Sequence, residues 1–149
     1  MATPEITELI PHRGPMLLID EIVDLTAEQA TCRKAFRADE FFFQGHYPDS
    51  PLVPGVILCE CAAQASAILL AAHHVTADAS TEMVPVLTRM NKVRFKKTVH
   101  PGDTIQIVAR LDETMSGAFF LTASIRTGGK LAASLELACT QAPKPTDGV

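Results

Sequence analysis

Residues 51–72 read PLVPGVILCECAAQASAILLAA, an almost unbroken apolar run with a glutamate, Glu60, in its middle. The run is close to the length of about 20 apolar residues that a membrane span needs. Pro54 and Gly55 interrupt it near its start, however, and Glu60 would be costly in lipid, so a buried helix of a globular domain is the better reading. Pro54 suits a first helical position, because its fixed φ fits the helix and its missing N–H is one that the helix would not use. From Gly55 to Ala72 nothing breaks the helix, and Leu, Ala, Gln and Glu all favour it. A helix apolar on every side must be wrapped by something else.

The wrapping reads as strands. LLIDEIVDL (17–25), ATCRKAFRA (30–38), MVPVLTRMNKVRF (83–95), TIQIVARLDE (104–113), AFFLTASIRT (118–127) and KLAASLELACTQ (130–141) are separated by turn-prone SG, GG and HPGD. Apolar and polar residues alternate in IQIVARL and SLELACT, as expected for a sheet with one dry face. Such strands meander antiparallel through short turns. The expected architecture is α+β: one sheet curled around one central helix, a short helix near residues 4–9 and a loose tail over 142–149, all in one domain spanning 1–149.

The chain has 149 residues, 47% of them hydrophobic and 20% charged, with a net charge of -4. That is the composition of an ordinary globular domain and gives little support to nucleic acid as a partner. MATPEITELIPHRG at the N-terminus lacks the basic and then apolar regions of a secretory signal, so a cytoplasmic location is expected. Cys32, Cys59, Cys61 and Cys139 then read as reduced thiols. Cys59 and Cys61 diverge on a helix, so neither a disulfide nor a shared metal is expected of them. His73 and His74 read as residues placed favourably at a helix C-terminus, not as metal ligands.

In a helix Glu60 and Gln64 stand one above the other as a single polar stripe. A carboxylate there must be paired, protonated or beside a cavity. If the site is apolar, burial raises its pKa and it becomes a carboxylic acid able to serve as a general acid. His46 lies in the Gly45-His46-Tyr47-Pro48 turn that leads back toward the helix start, where Gly55 leaves a bare backbone N–H at the positive end of the dipole. A base, an acid and an N–H donor together suit proton abstraction beside a carbonyl.

The segment GHYPDSPLVPGVILCECAAQ (45–64) resembles the active-site segment of the (3R)-hydroxyacyl-acyl carrier protein dehydratases of type II fatty acid synthesis. PHRGPMLLIDEI (11–22) and KVRFKKTVHPGDTIQI (92–107) are similar to two further motifs of that family, in the same order. The resemblance implies a hot-dog fold and a hydro-lyase acting in the cytoplasm without metal or other cofactor. His46 would remove a proton from C2 of a 3-hydroxyacyl thioester, Glu60 would assist departure of the C3 hydroxyl, and the Gly55 amide would polarise the thioester carbonyl. Val56, Phe43, Met90 and Gln64 would complete the substrate site, with Phe42, Phe43 and Met90 closing the acyl tunnel and Gln64 orienting Glu60. The family supplies His46 and Glu60 from opposite subunits of a homodimer, which in some cases forms a homohexamer.

Lys92, Arg94 and Lys96 alternate with Val93 and Phe95, which predicts three cations on one strand face. Such a patch would dock an acidic acyl carrier protein. His12 and Arg13 are expected to brace the first strand. The sequence departs from the family pattern at Tyr47, Asp49-Ser50 and Val53, none of them a catalytic group. Two rivals remain: a hot-dog thioesterase, and a non-catalytic acyl-binding homologue in a specialised lipid or polyketide pathway.

Overall fold

The computed structural model describes residues 3–75 and 83–144. A single helical turn, α1 (Ile6–Leu9), precedes strands β1 (Glu21–Leu25) and β2 (Gln29–Ala35). A 3-10 turn (Phe41–Phe43) and a loop lead to the long helix α2 (Gly55–His73), and β3 (Met83–Phe95), β4 (Thr104–Met115), β5 (Ala118–Thr127) and β6 (Lys130–Pro143) follow. The strands form one antiparallel sheet in the order β1-β2-β4-β5-β6-β3. Helix α2 packs against β2, β3, β4, β5 and β6, which is the expected α+β hot-dog arrangement.

The inward face of the sheet follows the period-2 pattern of the sequence. Ile105, Ile107 and Ala109 of β4 are buried, as are Phe119, Leu121, Ala123 and Ile125 of β5. Register aligns them in rows across the sheet: Cys32, Ile107, Ile125 and Ala133 in one, Ala30, Ala109, Ala123 and Leu135 in the next. The helix brings short side chains of its own, Cys61, Ala62 and Ala65, all fully buried. Short chains on both surfaces let a helix lie close on a sheet, where Ile68, Leu69 and Leu70 fill the remaining depth. By length and composition α2 could cross a membrane, but its apolarity is matched by the sheet packed around it.

Two turns set the register of β4, β5 and β6. Ser116-Gly117 and Gly128-Gly129 each join their strands as two-residue loops with positive φ at both positions, the conformation whose twist matches a hairpin. The meander is interrupted elsewhere. β3 does not lie between β2 and β4 but crosses to the far edge, beside β6.

Several boundaries differ from expectation. Residues 17–20 are not strand; the exposed Asp20 carboxylate there accepts the Ala35 N–H at 2.7 Å. Pro54 is the N-cap of α2 and not its first helical residue: its ψ of 138° is extended, while its carbonyl accepts the N–H groups of Ile57 and Leu58. β6 runs through Ala142 and Pro143, which pair with Val84 and Met83, so the tail begins later than residue 142. The rest of the expected tail, 145–149, lies outside the described residues.

Candidate active site

The His46 loop is fastened at both ends. Upstream, Lys34 of β2 is 5% exposed, and its ammonium reaches Glu40 at 2.5 Å and Asp20 at 3.8 Å. Glu40 also accepts the Arg37 N–H and caps the 3-10 turn, so this buried ion pair ties the turn to the sheet. Downstream, the Val53 N–H donates to the Val99 carbonyl at 2.7 Å. Between these anchors His46 and Leu52 are joined twice: the Leu52 N–H donates to the His46 carbonyl, and His46 Nδ1 lies 3.0 Å from the Leu52 carbonyl. A carbonyl oxygen only accepts, so Nδ1 carries the proton. With Nδ1 engaged in this way, Nε2 is the ring nitrogen left to act as a base. Tyr47 stacks on it with centroids 4.4 Å apart.

Gly55 opens α2, and its N–H with that of Val56 precedes the first intrahelical bonds. A Cβ on Gly55 would come within 2.8 Å of the Phe95 ring, so glycine is required by the approach of β3 to the helix start. Gly55, Leu58 and Phe95 line a cavity of about 440 Å³ together with Lys96 and Lys97. Apolar walls, free amides and two cations at one mouth suit an acyl chain with an anionic carrier.

Glu60 sits one turn further along. Gln64 is fully buried and divides its bonds among three partners: Oε1 accepts the Leu18 N–H at 2.9 Å, while Nε2 donates to the Met16 carbonyl at 2.7 Å and to Glu60 Oε1 at 3.0 Å. It thus clamps the Met16–Leu18 segment to the helix and orients the glutamate. That clamp also brings in a residue that sequence reasoning placed elsewhere: His12 Nε2 lies 3.5 Å from Glu60 Oε1. His12 and Glu60 line a smaller cavity of about 100 Å³ with Pro85 and Leu87 of β3.

Of the alternatives open to Glu60, paired, protonated or beside a cavity, these surroundings favour pairing. The Glu60 pKa lies below its usual value, not above: the hydrogen bond with His12 is the largest influence, half-burial opposes it, and the Gln64 amide and the charge of His12 add to the lowering. Glu60 in this chain is a held carboxylate. His12 and Arg13 do not brace the first strand. Arg13 ties down the carbonyls of Thr7, Ile10 and His12 around α1, and His12 faces Glu60. The available signal was the PHRGP segment itself, but sequence spacing alone does not reveal which helix residue it meets.

His46 and Glu60 belong to separate networks within one chain, and among the described residues no hydrogen bond or ion pair joins them. Val56 is exposed, next to the Gly55 amide. Phe43 is buried in the core, edge-on to Phe42, and not at an open cavity. Met90 is exposed on β3. The three cations do not share one strand face. A bulge between Asn91 and Arg94, with Lys92 at φ 50°, breaks the alternation. Lys92 then pairs with Glu136 at 3.6 Å, and Lys96 lies past the end of β3, at the Gly55 cavity.

Residues 10–136 match the FabA-like domain. The chain is 38% identical over 144 residues to a Syntrophotalea carbinolica protein named 3-hydroxyacyl-[acyl-carrier-protein] dehydratase FabZ, an alignment covering 96% of each. It is 38% identical over 133 residues to the protein of the same name from Clostridium perfringens, covering 89% of this chain and 93% of that one. Among solved structures it is similar to the dehydratase heterocomplex ApeI:P of Xenorhabdus doucetiae, with a TM-score of 0.77 and 17% identity, covering 98% of this chain and 94% of that chain. Mouse thioesterase superfamily member 2 shares the fold at a TM-score of 0.63 and 16% identity, over 80% of each chain. The match therefore takes in the His46 loop, the Gly55 helix start, Glu60 and the His12 segment alike, and the chain belongs to the FabA-like domain family.

Proposed function

We propose that this protein is a hydro-lyase that dehydrates (3R)-3-hydroxyacyl groups carried on acyl carrier protein to trans-2-enoyl thioesters in fatty acid synthesis. The observation that carries this reading is its identity, over nearly its whole length, with curated proteins named for that reaction. The thioesterase relationship is one of fold alone, at 16% identity. In the proposed site Nε2 of His46 takes the C2 proton, the amides at Gly55 and Val56 receive the developing negative charge on the thioester oxygen, and Glu60 acts at the C3 hydroxyl. Gln64 positions Glu60, and exposed Met90 bounds the acyl chain, while Phe43 supports the site only from within the core.

The two halves of the site are best supported as meeting across a homodimer. β3 is an edge strand of 13 residues whose outer side carries exposed Val86, Leu87, Met90, Val93 and Phe95. A long edge strand offers a row of unpaired N–H and C=O groups to another strand. The Gly55 cavity lies at the Phe95 end of β3 and the Glu60 cavity at the Pro85 and Leu87 end. Antiparallel pairing of β3 with its copy would set the first beside the second, so His46 of one protomer would face Glu60 of its partner. Lys96, with Lys97, would meet the acidic carrier at the mouth, Arg94 and Lys92 lying further along β3. A cytoplasmic location accords with this chemistry.

The test is mass spectrometry of 3-hydroxyacyl groups on acyl carrier protein after incubation with wild type, His46→Ala and Glu60→Gln. Loss of water with wild type alone supports the reading. Release of free carrier thiol, or no change with any chain length, overturns it.

A further inference from the structure

Glu60 does not hold its charge alone. His12 comes from a different part of the chain, yet its Nε2 lies 3.5 Å from Glu60 Oε1 and both line one small cavity. Its position is fixed independently of the glutamate, by Arg13 on one side and by the Gln64 clamp on Met16 and Leu18 on the other. The walls around the pair are Ala63, Ala67, Pro85 and Leu87, which screen charge poorly. His12 Nδ1 is buried with no hydrogen-bond partner. With Nδ1 unpartnered, Nε2 is the ring atom through which His12 meets another polar group, the Glu60 carboxylate. That carboxylate is the natural recipient of a proton carried on Nε2.

We propose that His12 and Glu60 share one proton and that this proton is the one delivered to the departing C3 hydroxyl, His12 acting through Glu60 as its proton partner. The inference rests on the dehydratase reading. In the step, His46 takes the C2 proton and the C2–H electron pair becomes the C2=C3 bond. The C3–O bond breaks with its pair on oxygen, and that oxygen takes the proton from Glu60, which His12 has supplied, to leave as water. The enzyme is left with a proton on His46 and none on the pair, and transfer of the first to the second through solvent restores it. A carboxylate held ionised by its neighbours is thereby reconciled with a role in acid catalysis.

Other titratable groups near the pair do not compete for the proton. The Cys139 thiol of β6, in the same cavity, is pushed by burial up to about 11. The thiols of Cys59 and Cys61 beside Glu60 on α2 are also raised by burial, and Lys34, Asp20 and Glu40 act on Cys61 from the sheet side. β3 contributes only Pro85 and Leu87.

The experiment compares His12→Gln with wild type. Glutamine keeps an amide donor toward Glu60 but cannot carry the proton. The expected result is that the alkaline limb of the kcat/KM profile moves to lower pH by roughly one unit or more, with at least about tenfold loss of rate at the alkaline end and an unchanged acid limb. Limbs that coincide with wild type overturn the proposal, since a purely structural histidine would lower Tm without moving them. His12→Ala is read in the same way where the glutamine variant does not fold. A second measurement does not depend on turnover: the Glu60 side-chain carboxyl carbon, followed by NMR, should titrate in two steps in wild type and in one in His12→Gln. A single step in wild type overturns the shared proton whether or not the protein is a dehydratase, while absence of dehydration by wild type counts against the function alone.

Discussion

Gln64 makes three hydrogen bonds from a site with no solvent access, so its amide is irreplaceable by shape alone. Gln64→Leu would leave the buried Leu18 N–H unpaired, which costs about 1–3 kcal/mol, and would free the Met16 carbonyl. A urea titration should show this as a lower midpoint. Glu60 gives a prediction whose sign follows from its depressed pKa. A carboxylate with a lower pKa in the folded than in the unfolded state stabilises the fold above the unfolded pKa, and this contribution is lost as pH falls through the folded value. The Tm difference between wild type and Glu60→Gln should therefore shrink below about pH 4.3, the ordinary range of a glutamate. A difference that grows on acidification would mean that Glu60 is not a held carboxylate.

At the scale of elements, the decisive object is β3. It lies at the sheet edge, its middle is bent by a bulge at Asn91–Arg94, and its exposed side chains mix apolar Val86, Leu87, Met90, Val93 and Phe95 with polar and cationic ones. A charge at Met90 or Val86 should be tolerated by the folded protomer, whose core it does not enter, and should prevent edge-to-edge pairing. Met90→Lys and Val86→Lys are expected to elute as monomers with a Tm close to that of the wild-type protomer, and to lose at least about tenfold in dehydration, because each half-site lacks its complement. Light scattering of the eluted peak together with the rate checks this. A dimer that survives both substitutions would move the interface elsewhere. The helix α2 poses the opposite case: its apolar surface is used up by its own sheet, leaving only its first turn and the Glu60 stripe for chemistry.

For the whole molecule, the composite site makes a quantitative prediction. When His46→Ala and Glu60→Gln protomers are mixed and allowed to exchange, half of the dimers are mixed, and each mixed dimer has one intact site. Activity should return to about a quarter of wild type from two inactive proteins. No recovery after verified exchange would place both residues of a working site in one chain. Carrier docking belongs to this scale too. Lys96 and Lys97 stand at the cavity mouth, so KM for the carrier substrate should rise with salt while kcat changes little. The same salt series on Lys96→Ala should show a shallower slope.

The sequence by itself determined the parts of this protein that depend on local period and local chemistry. The span of α2 followed from an uninterrupted apolar run, the inward residues of β4 and β5 from alternation along much of each strand, and the two hairpins from Ser116-Gly117 and Gly128-Gly129. His46, Gly55 and Glu60 were legible because they lie within one continuous segment. Only the tertiary structure decided what depends on contacts distant in sequence. β3 reaches the far edge because pairing partners are chosen by the closed sheet and not by chain order, and the bulge at Lys92 scatters cations that alternation would have aligned. The ionised state of Glu60 was likewise beyond the segment that contains it. Burial would have raised its pKa, and the groups that lower it are a buried amide one turn away and a histidine 48 residues earlier in the chain, carried there by the clamp of Gln64 on Met16 and Leu18.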